Sequence, residues 1–223
     1  MYPTLHSEVP DKTRSTLLIR SHISTDNWNQ IDFPSSDITV IQLSGKWGKL
    51  TIFNIYNNGN SNKTINSLTK FHKNNHAKLG LDEPWNAHII WLGDFNRHHP
   101  HWDDPSDTRL FSKEALKVAD MLIDVVAEAG LVMALPSGTP THYHNVTKRW
   151  SRLNQVFLSE HSENLLIACD TQTEHRGVKT DHLSILTELN IEANTNKEKQ
   201  MPNFRKVNWD EFGKSLDVKL LRA

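Results

Sequence analysis

Asp94 and Asn96, in the run Gly93-Asp94-Phe95-Asn96, place a carboxylate and an amide two residues apart, directly after an apolar segment. Such a pair suits a hard metal ion or a phosphate. Its bland alternative is an Asx-rich turn closing a strand, which both residue types favour. Two further polar clusters lie downstream: Ser151-Arg152-Leu153-Asn154 and Thr180-Asp181-His182. Each also stands at the edge of an apolar run. A lone His182 would most simply be structural, but it is paired with Asp181 immediately ahead of an apolar strand, which argues for a site.

The elements that must position these residues follow from hydrophobic period. Residues 88–92 (HIIWL), 155–158 (QVFL) and 183–186 (LSIL) are short and rich in β-branched or aromatic side chains, so they read as buried strands. Sites in open α/β sheets gather at strand C-termini. A strand is expected at 15–20 and a hairpin at 37–43 and 49–56, turning through the glycines of 44–48. Residues 64–78 carry Ile65, Leu68, Phe71 and His72 on one helical face. The clearest helix spans 111–130, with Ser112 as N-cap, the stripe Leu116, Ala119, Leu122, Ile123 and Val126, and Gly130 as its stop. A short strand at 131–135 and a loop at 136–141 follow. Residues 1–13 read as a loop, and 21–36 as a connection with room for a short paired piece.

The 223 residues suffice for one α/β domain, and 37% hydrophobic with 23% charged residues is a globular balance. Net charge is −1, with a sequence pI near 6.9, so any nucleic-acid contact has to be a local patch. Lys148, Arg149 and Arg152 around Trp150 form one such patch, suited to a phosphate backbone. A solvated strand edge explains the same residues equally well. The single cysteine, Cys169, excludes an internal disulfide and points to a reducing compartment. No run of membrane-spanning length and no signal peptide are visible, so the expected location is intracellular, nuclear or cytoplasmic, without secretion. His98 with His101, or His142 with His144, offer zinc ligands. They lack a thiolate pair and helical His-x3-His spacing, so ordinary loop packing is the preferred reading.

Taken together, GDFN at 93–96, SRLN at 151–154 and TDH at 180–182 resemble the endonuclease/exonuclease/phosphatase family. Their flanks, GDFNRHHPHWDDP, LPSGTPTH and RWSRLNQVFLS, are similar to apurinic-type endonuclease domains of non-long-terminal-repeat retrotransposons, particularly fungal ones. The resemblance spans about residues 13–189. It implies a four-layer α/β sandwich, two packed mixed β-sheets flanked by helices, over residues 1–190. Residues 191–223 would then be a linker and the start of a segment leading to a reverse transcriptase. The implied activity is Mg2+-dependent (or Mn2+-dependent) phosphodiester hydrolysis that nicks DNA. Residue by residue, Asp94 matches the group that positions the attacking water and Asn96 its phosphate-orienting neighbour. Tyr56 matches a tyrosine that reaches the scissile phosphate, and Asn58 the asparagine that often follows it. Asp181 matches a metal ligand and His182 the catalytic histidine. The loop at 136–141 would lie near the substrate groove, with Trp150 and Arg152 as contacts.

Two departures lower the expected activity. Family domains open with strands that end in asparagine and in Gln-Glu, the glutamate being a main metal ligand. This chain begins downstream of both and is expected to lack its first strands, and Glu8, flanked by prolines, is no substitute. Asn154 stands where the family has an aspartate that orients the histidine; an amide accepts that hydrogen bond but cannot stabilise an imidazolium. A catalytically silent DNA- or protein-binding relic, or a phosphatase-like phosphoesterase, are the other expectations.

Overall fold

Alternation within the longest apolar strands separates the molecule into two packed faces. A computed structural model of the chain describes residues 4–6, 13–177, 179–192, 208–211 and 213–214. The strands are β1 (Thr4–His6), β2 (Thr16–Leu18), β3 (Trp28–Ile31), β4 (Ile38–Gly45), β5 (Gly48–Tyr56), β6 (Ala87–Asp94), β7 (Leu131–Met133), β8 (His142–His144), β9 (Arg149–Ser151), β10 (Asn154–Ser159), β11 (Leu166–Gln172) and β12 (Ser184–Leu189). The α-helices are α1 (Lys63–Asn74), α2 (His76–Leu79) and α3 (Lys113–Glu128). Six strands form one mixed sheet, β3-β4-β5-β6-β10-β7, in which β5 and β6 run parallel and the other pairs antiparallel.

One face of this sheet carries Val40, Phe53, Ile55, Ile89, Trp91 and Phe157, packed on Ile65, Leu68 and Phe71 of α1 and Ala119, Leu122 and Val126 of α3. Both helices bury an apolar stripe and leave the rest to solvent, as their sequence period requires. The N-terminus of α3 is fixed by Ser112, whose Oγ accepts from Ala115 N at 3.1 Å. On the other face Leu50, Ile90, Val156 and Leu158 meet Leu166, Cys169, Ile185 and Leu189 of the β11–β12 pair. Strand β2 closes the same face farther along: Ser15 Oγ donates to Asn54 O (2.8 Å) and Thr39 Oγ1 to Ser15 O (2.9 Å).

The expected mixed α/β architecture is thus present as a six-stranded sheet with helices on one face and smaller strand pairs on the other. Residues 1–13 do not read wholly as loop, because β1 pairs antiparallel with β2. Alternation alone could not reveal it, since three residues are too few to show a period. The short paired piece within 21–36 is β3. Glu8, most of the linker and much of the segment at 203–221 lie outside the described residues.

Candidate active site

A row of three side chains crosses the six-stranded sheet at one end. Tyr56 closes β5, Asp94 closes β6 and Asn154 opens β10; the register pairs Tyr56 with Asp94 and Asp94 with Asn154. Strand period puts all three on the face that meets β11–β12, because they share parity with Leu50, Ile90 and Val156. Gly93 makes this close approach feasible. Its φ is +136°, and a Cβ there would collide with Ile55 O of the parallel neighbour. The sequence Gly-Asp is therefore a backbone requirement followed by a functional group.

His182 reaches this row from the opposite layer. It sits just ahead of β12, where its Nδ1–H donates to Asn154 Oδ1 at 3.0 Å. His182 also acts electrostatically on Asp94, as does Asp181. Three distant stretches, at 94, 154 and 181–182, thus come together at one end of the sheet. Thr141 ties the stretches together from beneath. It is fully buried, its Oγ1 accepts from Leu153 N and Asn154 N at 3.1 and 3.0 Å, and its carbonyl accepts from Leu183 N at 2.8 Å.

The two carboxylates are driven in opposite directions. Burial pushes Asp94 above the usual carboxylate range, against the pull of His182 and the Asn96 amide. Asp181, its side chain 48% exposed, is held below that range by its own backbone N–H and by the imidazoles of His182 and His142. Asp94 thus takes a proton more readily than a free carboxyl does, and Asp181 less readily.

Sequence reasoning set aside one residue here, His142, and missed a second. His142, in β8, forms an isolated antiparallel bridge with His182 and packs against it, ring centroids 4.8 Å apart and planes inclined by 59°. Its Nε2 lies 3.6 Å from Asp181 Oδ2. Burial, then the charge of His182, lowers its pKa, which keeps it neutral. His142, Asp181 and His182 bring their ligand atoms within 4.8 Å of one another, the one such metal-competent group found among the described residues. His142 thus packs against His182 and not against its sequence neighbours alone, whereas the 98–101 loop is held by its own contacts: His98 Nδ1 lies 3.1 Å from Asp103 Oδ2, and His99 Nδ1 accepts from His101 N. Nothing in the spacing of THYH announces position 182, so only strand pairing shows the connection. The missed residue, Asn57, is fully buried; its N donates to Asp94 O (2.7 Å) and its Nδ2 to Phe95 O (2.7 Å).

Other expected residues are placed differently from expectation. Arg152 is not a substrate contact. It is 1% exposed, and its guanidinium donates to the carbonyls of Leu135 and Pro136, with burial lowering its pKa to about 10. Asn58 turns back on itself, its Oδ1 accepting from Asn60 N at 3.0 Å in an Asx turn, so it is not seen to reach the cleft. Asn96 lies past the end of β6 at φ +49°, so a turn and not strand alternation sets its direction. Its Nδ2 donates to Asn57 O (2.9 Å) and its N to Asp94 Oδ1 (3.1 Å). Tyr56 lies under the Arg14 guanidinium, 4.8 Å from the ring centroid, while Arg14 grips Asp37 through two 2.7 Å bonds. Trp150, 41% exposed, packs on Tyr143 at 5.0 Å with Arg176 over both rings.

The family model described as endonuclease-reverse transcriptase matches residues 50–186. No curated protein matches in sequence. Among solved structures, the endonuclease domain of TRAS1, a telomere-specific non-LTR retrotransposon, superposes with a TM-score of 0.64 at 18% identity, over 85% of this chain and 80% of that one. The apurinic endonuclease LMAP from Leishmania major aligns at 0.55 and 13% identity, over 70% and 55% of the two chains. The catalytic domain of Xenopus laevis APE2 aligns at 0.54 and 12% identity, over 93% and 83%. These likenesses establish the fold. With the family model matched across more than half its length, this chain belongs to the endonuclease-reverse transcriptase family.

Proposed function

We propose that the chain hydrolyses DNA phosphodiesters by the route its family uses, with activity reduced by the amide at position 154. The observation that carries this reading is the bond from His182 Nδ1 to Asn154 Oδ1, with Asp94 opposite Asn154 on the neighbouring strand. Asp94, whose buried carboxyl accepts a proton more readily than usual, orients the attacking water and takes its proton. His182 presents Nε2 to a phosphoryl oxygen, held in orientation by the bond at Nδ1. Tyr56 and Asn96 flank the same strand ends and suit contacts to the phosphate. Trp150 and Arg176, an aromatic face under a guanidinium, suit the bases or backbone alongside.

The oxygen donors at Asp181 fit a hard cation that arrives with its phosphate, since magnesium is usually held by one or two carboxylates plus substrate oxygens. Mg2+ or Mn2+ there would supply neutralisation of phosphoryl charge. Asn154 accepts the imidazole hydrogen bond but gives no stabilisation to an imidazolium, which favours a second reading: a DNA-binding domain with little turnover.

Nicking of supercoiled plasmid in Mg2+ or Mn2+ separates the two. The nuclease reading expects slow nicking that Asp181→Ala and His182→Ala abolish. It also expects Asn154→Asp to raise kcat at least tenfold, toward the ~10⁴ by which the reverse exchange slows a serine-protease triad. DNA retention with no nicking by either the wild type or Asn154→Asp would establish the binding reading instead.

A further inference from the structure

We infer that His142, His182 and Asp181 form a binding site for a borderline transition cation of the zinc class, separate in chemistry from the hard cation expected of the nuclease reaction. Two of the three donors are imidazole nitrogens. Neutral imidazole with one carboxylate is a donor set for zinc, cobalt or nickel, whereas magnesium takes oxygen ligands almost exclusively.

The second argument is tautomeric. A metal-binding histidine almost always engages its other ring nitrogen with a neighbouring polar group, which fixes both the tautomer and the ring plane. Both imidazoles here satisfy that condition. Nδ1 of His182 is spent on Asn154 Oδ1 at 3.0 Å, and Nδ1 of His142 lies 3.3 Å from Ser151 Oγ. Both Nε2 atoms are therefore left to face Asp181, at 3.6 Å from Oδ2 for His142 and 4.0 Å from Oδ1 for His182. An amide at 154 serves this purpose as well as an aspartate would, because orientation needs only an acceptor.

Backbone pairing holds the donors in place. Tyr143 N donates to Asp181 O at 2.7 Å and Leu183 N to Thr141 O at 2.8 Å, on either side of the His142–His182 bridge. In a tetrahedral site with bonds of about 2.0–2.1 Å, ligand atoms stand roughly 3.3 Å apart. The donors, all within 4.8 Å of one another, need only side-chain rotation to reach it. Asp181 is half-exposed, so at least one coordination position opens to solvent or to a ligand oxygen. The side chains of His142 and His182 are only 13% and 33% exposed, which shields the nitrogens from competing water.

Because the same Nε2 of His182 is assigned to phosphate in the nuclease reading, the two uses exclude each other. Zinc should therefore slow Mg2+-dependent nicking. That consequence rests on the nuclease reading, but the site itself does not.

The test is titration of the metal-free full chain with Co2+, read by absorption, followed by displacement with Zn2+ and with Mg2+. One Co2+ per chain is expected, with the intense visible bands of a four- or five-coordinate ion. Equimolar Zn2+ should remove them, and millimolar Mg2+ should not. His142→Ala and Asp181→Asn should each weaken binding at least about tenfold. Asp181 is exposed enough that its variant should fold even if His142→Ala does not. His101→Ala, in the other histidine-rich loop, should change nothing. Unaltered affinity in Asp181→Asn, loss in His101→Ala, or the pale spectrum of a six-coordinate cobalt ion would each overturn the site. Cobalt binding without plasmid nicking refutes the nuclease and leaves the site standing; nicking without cobalt binding does the reverse.

Discussion

Asp94 carries a conflict between stability and use. Its carboxyl is desolvated at the end of β6, so the charged form is disfavoured in the folded state and its pKa is raised above the ordinary 3.8. Between 3.8 and the raised value the folded chain binds more protons than the unfolded one, so this group's contribution to stability falls as pH rises through that window. At neutral pH the charge is a standing cost. Asp94→Asn should therefore raise the melting temperature at pH 7 while removing any nicking activity. The gain should vanish well below pH 3.8, where the carboxyl is neutral in both states. A variant less stable than the wild type in a pH 7 thermal melt would contradict this account. Residue types together with the family resemblance singled out Asp94, Asp181 and His182. They did not show which carboxyl is buried and which exposed, because that depends on the layer above.

At the scale of elements, the segment from β8 to β10 divides scaffold from surface. Arg152 and Arg149 are close in sequence and alike in charge, yet one is sealed in the interior and the other has a side chain 61% exposed. Arg152 holds the carbonyls at the end of β7 and the following loop, and its own N donates to the buried carboxylate of Asp103 at 2.8 Å. Removing it leaves buried acceptors unpaired and opens a cavity, so Arg152→Ala should cost about 3 kcal/mol or more in a urea denaturation. Arg149→Ala should stay within about 0.5 kcal/mol of the wild type. The order would reverse in DNA affinity, where Arg149, only loosely paired with Asp107 at 3.9 Å, is the exposed cation beside Trp150. Sequence could not separate the two, because a basic residue next to an aromatic reads the same whether it faces phosphate or carbonyl. The long elements were easier: β4, β5, β6, α1 and α3 carry enough residues for a period to show. Strands β8, β9 and β11 do not, being short or without clean alternation.

At the scale of the whole molecule, histidine dominates the response to acid. His72, His88, His99 and His142 are all depressed below the ordinary 6.5, each chiefly by burial. Unfolding lets them take protons near 6.5 that the folded state refuses, so the unfolded chain binds more protons below that value. Stability should therefore be fully present above about pH 6.5 and decline as pH falls through the window down to the folded values. The opposite contribution of Asp94 is one group against four. Thermal melts from pH 7.5 to 5 should show a falling midpoint, and a flat profile would refute the burial argument. A net charge of −1 adds little long-range pull toward a polyanion such as DNA.

The sequence by itself determined the helices, the central strands and the three polar stretches proposed as the site, since each is a matter of residue type and short-range period. Tertiary structure alone decided which of these residues face one another. Strand register put Tyr56, Asp94 and Asn154 in one row, layer packing brought His182 across to it, and a single bridge joined His142 to the cluster. Those contacts join residues tens of positions apart, and no local pattern encodes a distance that only the closed fold makes short.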